Sequence, residues 1–277
     1  FISDSIAVAY IEDGQLVLKA IPNKDKSTDN VDMLTGALES QNKFSFKYGK
    51  VECRAKTNGY KGNFPAIWMM PQDQSAGWPN CGEIDIFEQI DAENKSYHTV
   101  HSNWTYNLGN KNNPTSSFNK NLSMDRYHTY GLEWDANTLT WYVDGVKVGS
   151  YAKSTNADAL SKGQWPFDKA FYLILNQSVG NGSWAQPADI NHTYRMDVDW
   201  IRVYQKDQAT HIESTTSQSL DISTGENKII VHADQATDMQ IVSINGAVLY
   251  KGTVEGSQTF NVQKGVYLVN KQKILVP

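Results

Sequence analysis

The sequence predicts an all-β protein, a sandwich or barrel followed by a small β module. Short apolar-alternating runs bounded by turn residues recur along the chain, no long helical period is found, and no repeat appears at a solenoid spacing. In order, Gln15–Ile21 alternates directly after a Glu12-Asp13-Gly14 turn. Leu139–Val143 runs into Asp144-Gly145 and resumes at Val146–Val148, the pattern of a tight hairpin. Val198–Tyr204 is a further alternating strand. The one helix expected is a turn or two over 157–162, with Asn156 as its N-cap.

Composition changes near residue 206. All eight tryptophans lie between Trp68 and Trp200, residues 207–219 are polar and rich in Ser and Thr, and short β runs follow. We therefore expect a large domain over 1–206, then a linker and a small β-sandwich over 207–277. In the module, strands are expected around Ile229, Gln240, Val248, Thr259 and Tyr267. Turns are expected at Asn245-Gly246, Lys251-Gly252, Glu255-Gly256 and Lys264-Gly265.

The 277 residues are 20% charged and 11% aromatic, with a formal net charge of -5 and both signs interspersed. This is a globular composition without the basic footprint of a nucleic-acid or anionic-membrane binder, and it favours a neutral ligand. No apolar run reaches the roughly 20 residues of a membrane span. No leader of the secretory type opens the chain, so it reads as cytoplasmic or already processed. A monomer is expected. Cys53 and Cys81 read as two small buried thiols, a single disulfide being the alternative.

The informative stretch is Gly82-Glu83-Ile84-Asp85-Ile86-Phe87-Glu88. On a strand, Glu83 and Asp85 share a face, and strict alternation would put Phe87 there and Glu88 opposite. A β-bulge at Ile86-Phe87 adds one residue and returns Glu88 to the shared face. Three carboxylates in a row repel one another, and no Lys or Arg lies between Lys61 and Lys95 to relieve them. At least one pKa must rise, as a proton donor near neutral pH requires. Two carboxyls about 5–5.5 Å apart are the requirement for glycoside hydrolysis with retention, and neighbouring same-face positions on a concave strand can approach that range. Phe64–Pro71 and Trp78-Pro79 surround the acids with aromatic surface suited to stacking sugars. A solvated edge strand is the competing interpretation of the acids alone.

The run G-N-F-P-A-I-W-M-M-P, then G-W-P-N-C-G-E-I-D-I-F-E, resembles glycoside hydrolase family 16 in its longer, bulged E-x-D-x-x-E form. Tyr48–Arg54, Thr99–His101, Leu132–Trp134, Trp141–Gly145 and Asp199–Tyr204 match in family order, so the likeness spans residues 8–205. The resemblance implies a β-jelly-roll of two curved antiparallel sheets with the acids on the concave face. It implies Glu83 as nucleophile, Glu88 as general acid/base and Asp85 as the residue that orients and tunes them. His101 matches a histidine beside the acids, and Trp78 matches a cleft tryptophan. Asn176 matches a cleft-facing position more weakly. Trp104 and Trp184 are candidates for other subsites, with the core as the alternative for each. His98, out of phase with His101, is not expected to be a ligand.

No cofactor is required by the resemblance. A structural calcium is an expectation at Asp199 and the Gly14 carbonyl, which match the family's convex-side site, although one side-chain ligand is thin for a hard cation. Met239–Gly246 and Lys264–Val269 resemble a C-terminal secretion sorting module common in Bacteroidetes, which would place the protein outside the cytoplasm. The expected activity is endo-cleavage of a β-1,3- or mixed β-1,3/1,4-glucan. An agarase or porphyranase is the alternative within the family, and a non-catalytic glucan-binding protein the alternative outside enzymes. Of Lys and Arg, segments 61–81 and 97–111 carry only Lys61 and Lys111, and a sulfated galactan would call for more.

Overall fold

The computed structural model describes residues 7–27, 29–205, 220–244, 246–270 and 272–277; the linker expected at 207–219 lies outside these. Contacts divide the chain into two compact units, Phe1–Asp207 and Gln208–Pro277. The first contains β1 (Ala9–Glu12), β2 (Gln15–Pro22), β3 (Met33–Thr35), β4 (Ala37–Glu39), β5 (Gly49–Thr57), β6 (Asn63–Pro71) and β7 (Glu83–Glu88). These are followed by β8 (Lys95–His101), β9 (Ser117–Asn121), β10 (His128–Trp134), β11 (Thr138–Val143), β12 (Val146–Ala152), β13 (Phe171–Val179) and β14 (Tyr194–Tyr204).

They form two antiparallel sheets. One runs β1-β2-β14-β5-β10-β11-β12, with β3 paired to β2, and the other runs β4-β13-β6-β7-β8-β9. The sandwich follows from the alternation in the sequence. Val51, Cys53 and Ala55 on β5, Tyr130 and Leu132 on β10, and Leu139, Trp141 and Val143 on β11 point inward. They meet Ile67 and Met69 on β6, Ile84, Ile86 and Phe87 on β7, and Leu173 and Leu175 on β13. Beneath the acid row, the Phe87 ring stacks on Tyr130 at 4.1 Å. Each such large side chain, fully buried, contributes about 1.5–3 kcal/mol. Cys53 and Cys81 are buried and unbonded.

The two Asp-Gly turns close hairpins as expected. Asp13 and Gly14 have φ of 49° and 78°, and Asp144 and Gly145 have 51° and 76°, left-handed values that favour Asn, Asp and Gly. The one α-helix among the described residues, α1 (Ala157–Ser161), is capped by Asn156, whose side chain accepts from the backbone of Asp158 and Ala159. No helix among the described residues is long and apolar enough to cross a membrane.

The second unit is one continuous sheet, not the two of the expected sandwich, because the long β16 (Lys228–Ser243) pairs with β15 (Leu220–Gly225), β17 (Val248–Asn261) and β18 (Gly265–Val269), which pairs in turn with β19 (Gln272–Val276). Its core gathers Ile229, Val231, Met239, Ile241, Val254, Tyr267, Val269 and Val276. Here the expected punctuation was wrong. Ile229 and Gln240 belong to one strand, and Gly252 and Gly256 lie inside β17 rather than in turns. The reason is a bulge. The β16–β17 register shifts between Ala233 and Thr237, opposite Gly256 at φ 69°, so the hairpin bends there without breaking.

Candidate active site

The acid row lies on β7, a central strand of the sheet β4-β13-β6-β7-β8-β9. Glu83, Asp85 and Glu88 are paired across from His101, Thr99 and Tyr97 of β8. On the other side, Asp85 and Glu88 face Trp68 and Ala66 of β6. Both ladders shift register between Asp85 and Glu88, and Ile86 is paired in neither. The bulge expected at Ile86-Phe87 is therefore present. Ile84, Ile86 and Phe87 all turn into the core, each fully buried, while the three carboxyls share the opposite face.

The bulge frees backbone carbonyls that the ladder would otherwise use. Trp141 on the facing sheet donates from Nε1 to the Asp85 carbonyl at 2.8 Å. His98 on β8 lies 2.6 Å through Nδ1 from the Ile86 carbonyl, and its Nε2 is 2.9 Å from Ser96 Oγ. His98 is thus a core residue, as its phase in the sequence indicates.

Electrostatically the row divides its labour. Asp85, 1% exposed, has its pKa raised well above the carboxylate range, first by burial, then by the Glu83 charge and by a hydrogen bond with Glu83. Burial also lifts Glu88 well above its ordinary value, with Asp85 and Glu83 adding to the rise and His101 opposing it. His101 Nε2 stands 3.4 Å from Asp85 Oδ2 and 3.9 Å from Glu83 Oε1. Glu83 accepts a hydrogen bond from Trp78 Nε1 at 2.6 Å. Glu83 is thus held by a donor, and a second carboxyl with a raised pKa, Glu88, lies two pairing positions beyond Asp85.

The model of glycosyl hydrolases family 16 matches residues 9–202. The chain belongs to this family. Among relatives, it is 37% identical over 196 residues to a keratan-sulfate endo-1,4-beta-galactosidase of Sphingobacterium multivorum, covering 70% of this chain and 45% of that protein. It is 33% identical over 220 residues to the glucan endo-1,3-beta-glucosidase A1 of Niallia circulans, covering 74% of this chain and 32% of that protein. The chain thus spans less than half the length of these two relatives. Among solved structures, the laminarinase catalytic domain of Thermotoga maritima superposes with a TM-score of 0.63 at 32% identity, covering 74% of this chain and 82% of that one.

Around the family 16 acids, aromatic rings form two groups. On the Glu83 side, Trp78 is 46% exposed and meets the edge of Tyr106 at 4.5 Å, with the His101 ring 5.9 Å away. On the Glu88 side, Trp184 is 45% exposed and packs edge-on against Phe64 at 5.4 Å and Tyr97 at 5.3 Å. Asn176 is paired with Ala66, the residue that faces Glu88. Its Oδ1 accepts from Trp68 Nε1 at 2.6 Å, and its Nδ2 donates to Ser178 Oγ at 2.8 Å.

Trp104 is different. It is 9% exposed and donates from Nε1 to the Asn113 carbonyl at 2.7 Å, so it packs under the loop and offers no stacking face. The cause is a π-helical turn, Asn103–Asn107, capped by Ser102 and Thr105 exchanging side-chain and backbone hydrogen bonds. The turn sends Trp104 inward and exposes Tyr106, a site residue that strand-based reading missed. The spacing Ser102-x-x-Thr105 was the available signal.

The family 16 calcium expectation also fails a test of fit. Asp199 is hydrogen-bonded through Oδ2 to the Arg54 guanidinium, which lies 4.4 Å over the Tyr127 ring. The carboxylate that would bind calcium is already neutralised by a side-chain cation, and Gly14 adds only a carbonyl. Such a donor set is far short of the six or more oxygens a calcium ion takes. Glu83, Asp85 and His101 form the one metal-type cluster among the described residues, with donor atoms within 4.8 Å of one another.

Proposed function

We propose that this chain is a retaining, endo-acting glycoside hydrolase that cleaves β-1,3- or mixed-linkage β-1,3/1,4-glucan by double displacement. The observation that carries the reading is the contrast between the two glutamates of β7. Glu83 accepts a hydrogen bond from Trp78, whereas burial raises the Glu88 pKa well above the ordinary carboxylate range. In the first step, Glu83 attacks the anomeric carbon while Glu88 gives its proton to the departing glycosidic oxygen. The C–O bond to the leaving sugar breaks and an ester to Glu83 forms. In the second, Glu88, now ionised, takes a proton from water, which displaces Glu83 and regenerates both groups.

The substrate class is supported by the aromatic groups at Trp78/Tyr106 and Trp184/Phe64/Tyr97, because sugar faces stack on such rings without charge. The likeness to glucan-cleaving relatives points the same way. A β-galactan is the second reading, favoured by the 37% identity to a keratan-sulfate endo-1,4-beta-galactosidase. Opposing it, Lys61 and Lys111 are the only Lys or Arg residues in segments 61–81 and 97–111, whereas sulfate is best held by several charge-assisted donors. The residues beyond Gln208 fit a separate sorting-type module, supported by their own core, and imply export from the cytoplasm.

The test is incubation with laminarin, barley β-glucan, agarose, porphyran and keratan sulfate, with product sizing. Short oligosaccharides from the two glucans alone are expected. Cleavage of a galactan with both glucans untouched would overturn the substrate class but not the chemistry. Binding without turnover on all five would mark a glucan-binding protein.

A further inference from the structure

The position of Glu88 depends on a bulge, and the bulge is held from within the core. Ile86 pairs with neither neighbouring strand, yet it is fully buried, so its carbonyl needs a side-chain donor. His98 supplies it through Nδ1 at 2.6 Å. A carbonyl can only accept, so the hydrogen is on Nδ1, and Nε2 accepts from the Ser96 hydroxyl at 2.9 Å. His98 is itself fully buried and lies on β8 between Tyr97, which faces Glu88, and Thr99, which faces Asp85. Its ring therefore sits opposite the extra residue. Trp141 satisfies the preceding carbonyl, that of Asp85, from the other sheet.

We propose that His98 is a positioning residue for Glu88, holding through Ile86 the bulge that turns the acid/base carboxyl onto the cleft face. Without that bulge, strict alternation would present Phe87 to the cleft and drive Glu88 into the core. Burial pushes the imidazole pKa down to about 4, the hydrogen bond to Ile86 opposing, so His98 stays neutral with one donor and one acceptor over the working range. The inference rests on the reading of Glu88 as proton donor.

Two amide substitutions test it. The side-chain amide of His98→Asn can take the place of Nδ1, whereas that of His98→Gln falls near Nε2 and cannot reach the carbonyl. Both keep a buried polar group. Measured on the glycan that the wild type cleaves, His98→Gln should lose about 10²-fold in kcat with KM within about twofold, the scale of a misplaced catalytic group. It should lose much less on an aryl glycoside whose leaving group needs no proton. The alkaline limb of its rate–pH profile should move, since Glu88 would leave the setting of Asp85, Glu83 and His101 that tunes it. His98→Asn should recover most of the rate and the wild-type limb.

Equal activity of the two variants would overturn the proposal. So would equal losses on both substrates, or an unmoved alkaline limb in His98→Gln. Glu88→Ala is measured alongside. If it too loses both substrates equally, the reading of Glu88 has failed, independently of His98.

Discussion

Trp78 Nε1 donates to Glu83 Oε2 at 2.6 Å, across a separation of five residues. One indole thus serves two purposes, offering a half-exposed face to a sugar and fixing the rotamer of the carboxylate beside it. Trp78→Phe keeps an aromatic face and removes the donor. A hydrogen bond to a charged group is worth about 1.5–3 kcal/mol, so kcat should fall by roughly 10- to 100-fold. KM should change by less than a factor of about three, because stacking survives. Steady-state kinetics of the two proteins check this, and a pure KM effect would assign Trp78 to binding alone.

Glu83→Ala should lose several orders of magnitude in rate while melting like the wild type, because the covalent step has lost its nucleophile. Added azide should restore turnover and yield a sugar azide of inverted anomeric configuration. Substantial activity without azide would remove Glu83 from that role.

Glu88 links catalysis to stability. A buried carboxyl with a raised folded-state pKa favours the fold while it is protonated. That contribution is complete below the ordinary carboxylate pKa and is lost as pH rises through the raised value. Glu88→Gln should therefore match the wild type in acid and melt higher near neutral pH, each 1 kcal/mol being about 2–4 °C in a domain of this size. It should be nearly inactive on polysaccharide. Thermal melts from pH 3.5 to 8 decide the matter, and a difference that does not grow with pH would contradict the buried-acid account.

The Arg54–Asp199 pair predicts indifference to calcium. Excess EDTA, and then excess calcium, should leave the melting temperature and rate unchanged within error. A rise of several degrees on adding calcium would show that the guanidinium gives way to the ion.

The second unit should be dispensable for chemistry. A chain ending near Asp207 should keep its kcat on soluble substrate, because the acids, both aromatic groups and their supporting core all belong to the first unit. A folded but slow truncation would mean that the module shapes the cleft.

What the sequence determined alone was whatever neighbouring residues decide among themselves. Asp144-Gly145 closes its hairpin because left-handed φ values are cheap there, and Asn156 caps α1 because its side chain reaches the amides of Asp158 and Ala159. The acid row could be read too. Two buried apolar residues between Asp85 and Glu88 leave a bulge as the way to keep the carboxyls on one face. Tertiary structure decided which side chains meet across distance. Arg54 and Asp199 lie 145 residues apart in the chain, and their pairing engages the carboxylate expected to hold a metal. Trp104 and Tyr106 exchange inside and outside because a π turn has neither helix nor strand phase. His98 gains its place opposite Ile86 only when β8 pairs with β7, since strand register sets which buried donor finds which orphaned carbonyl.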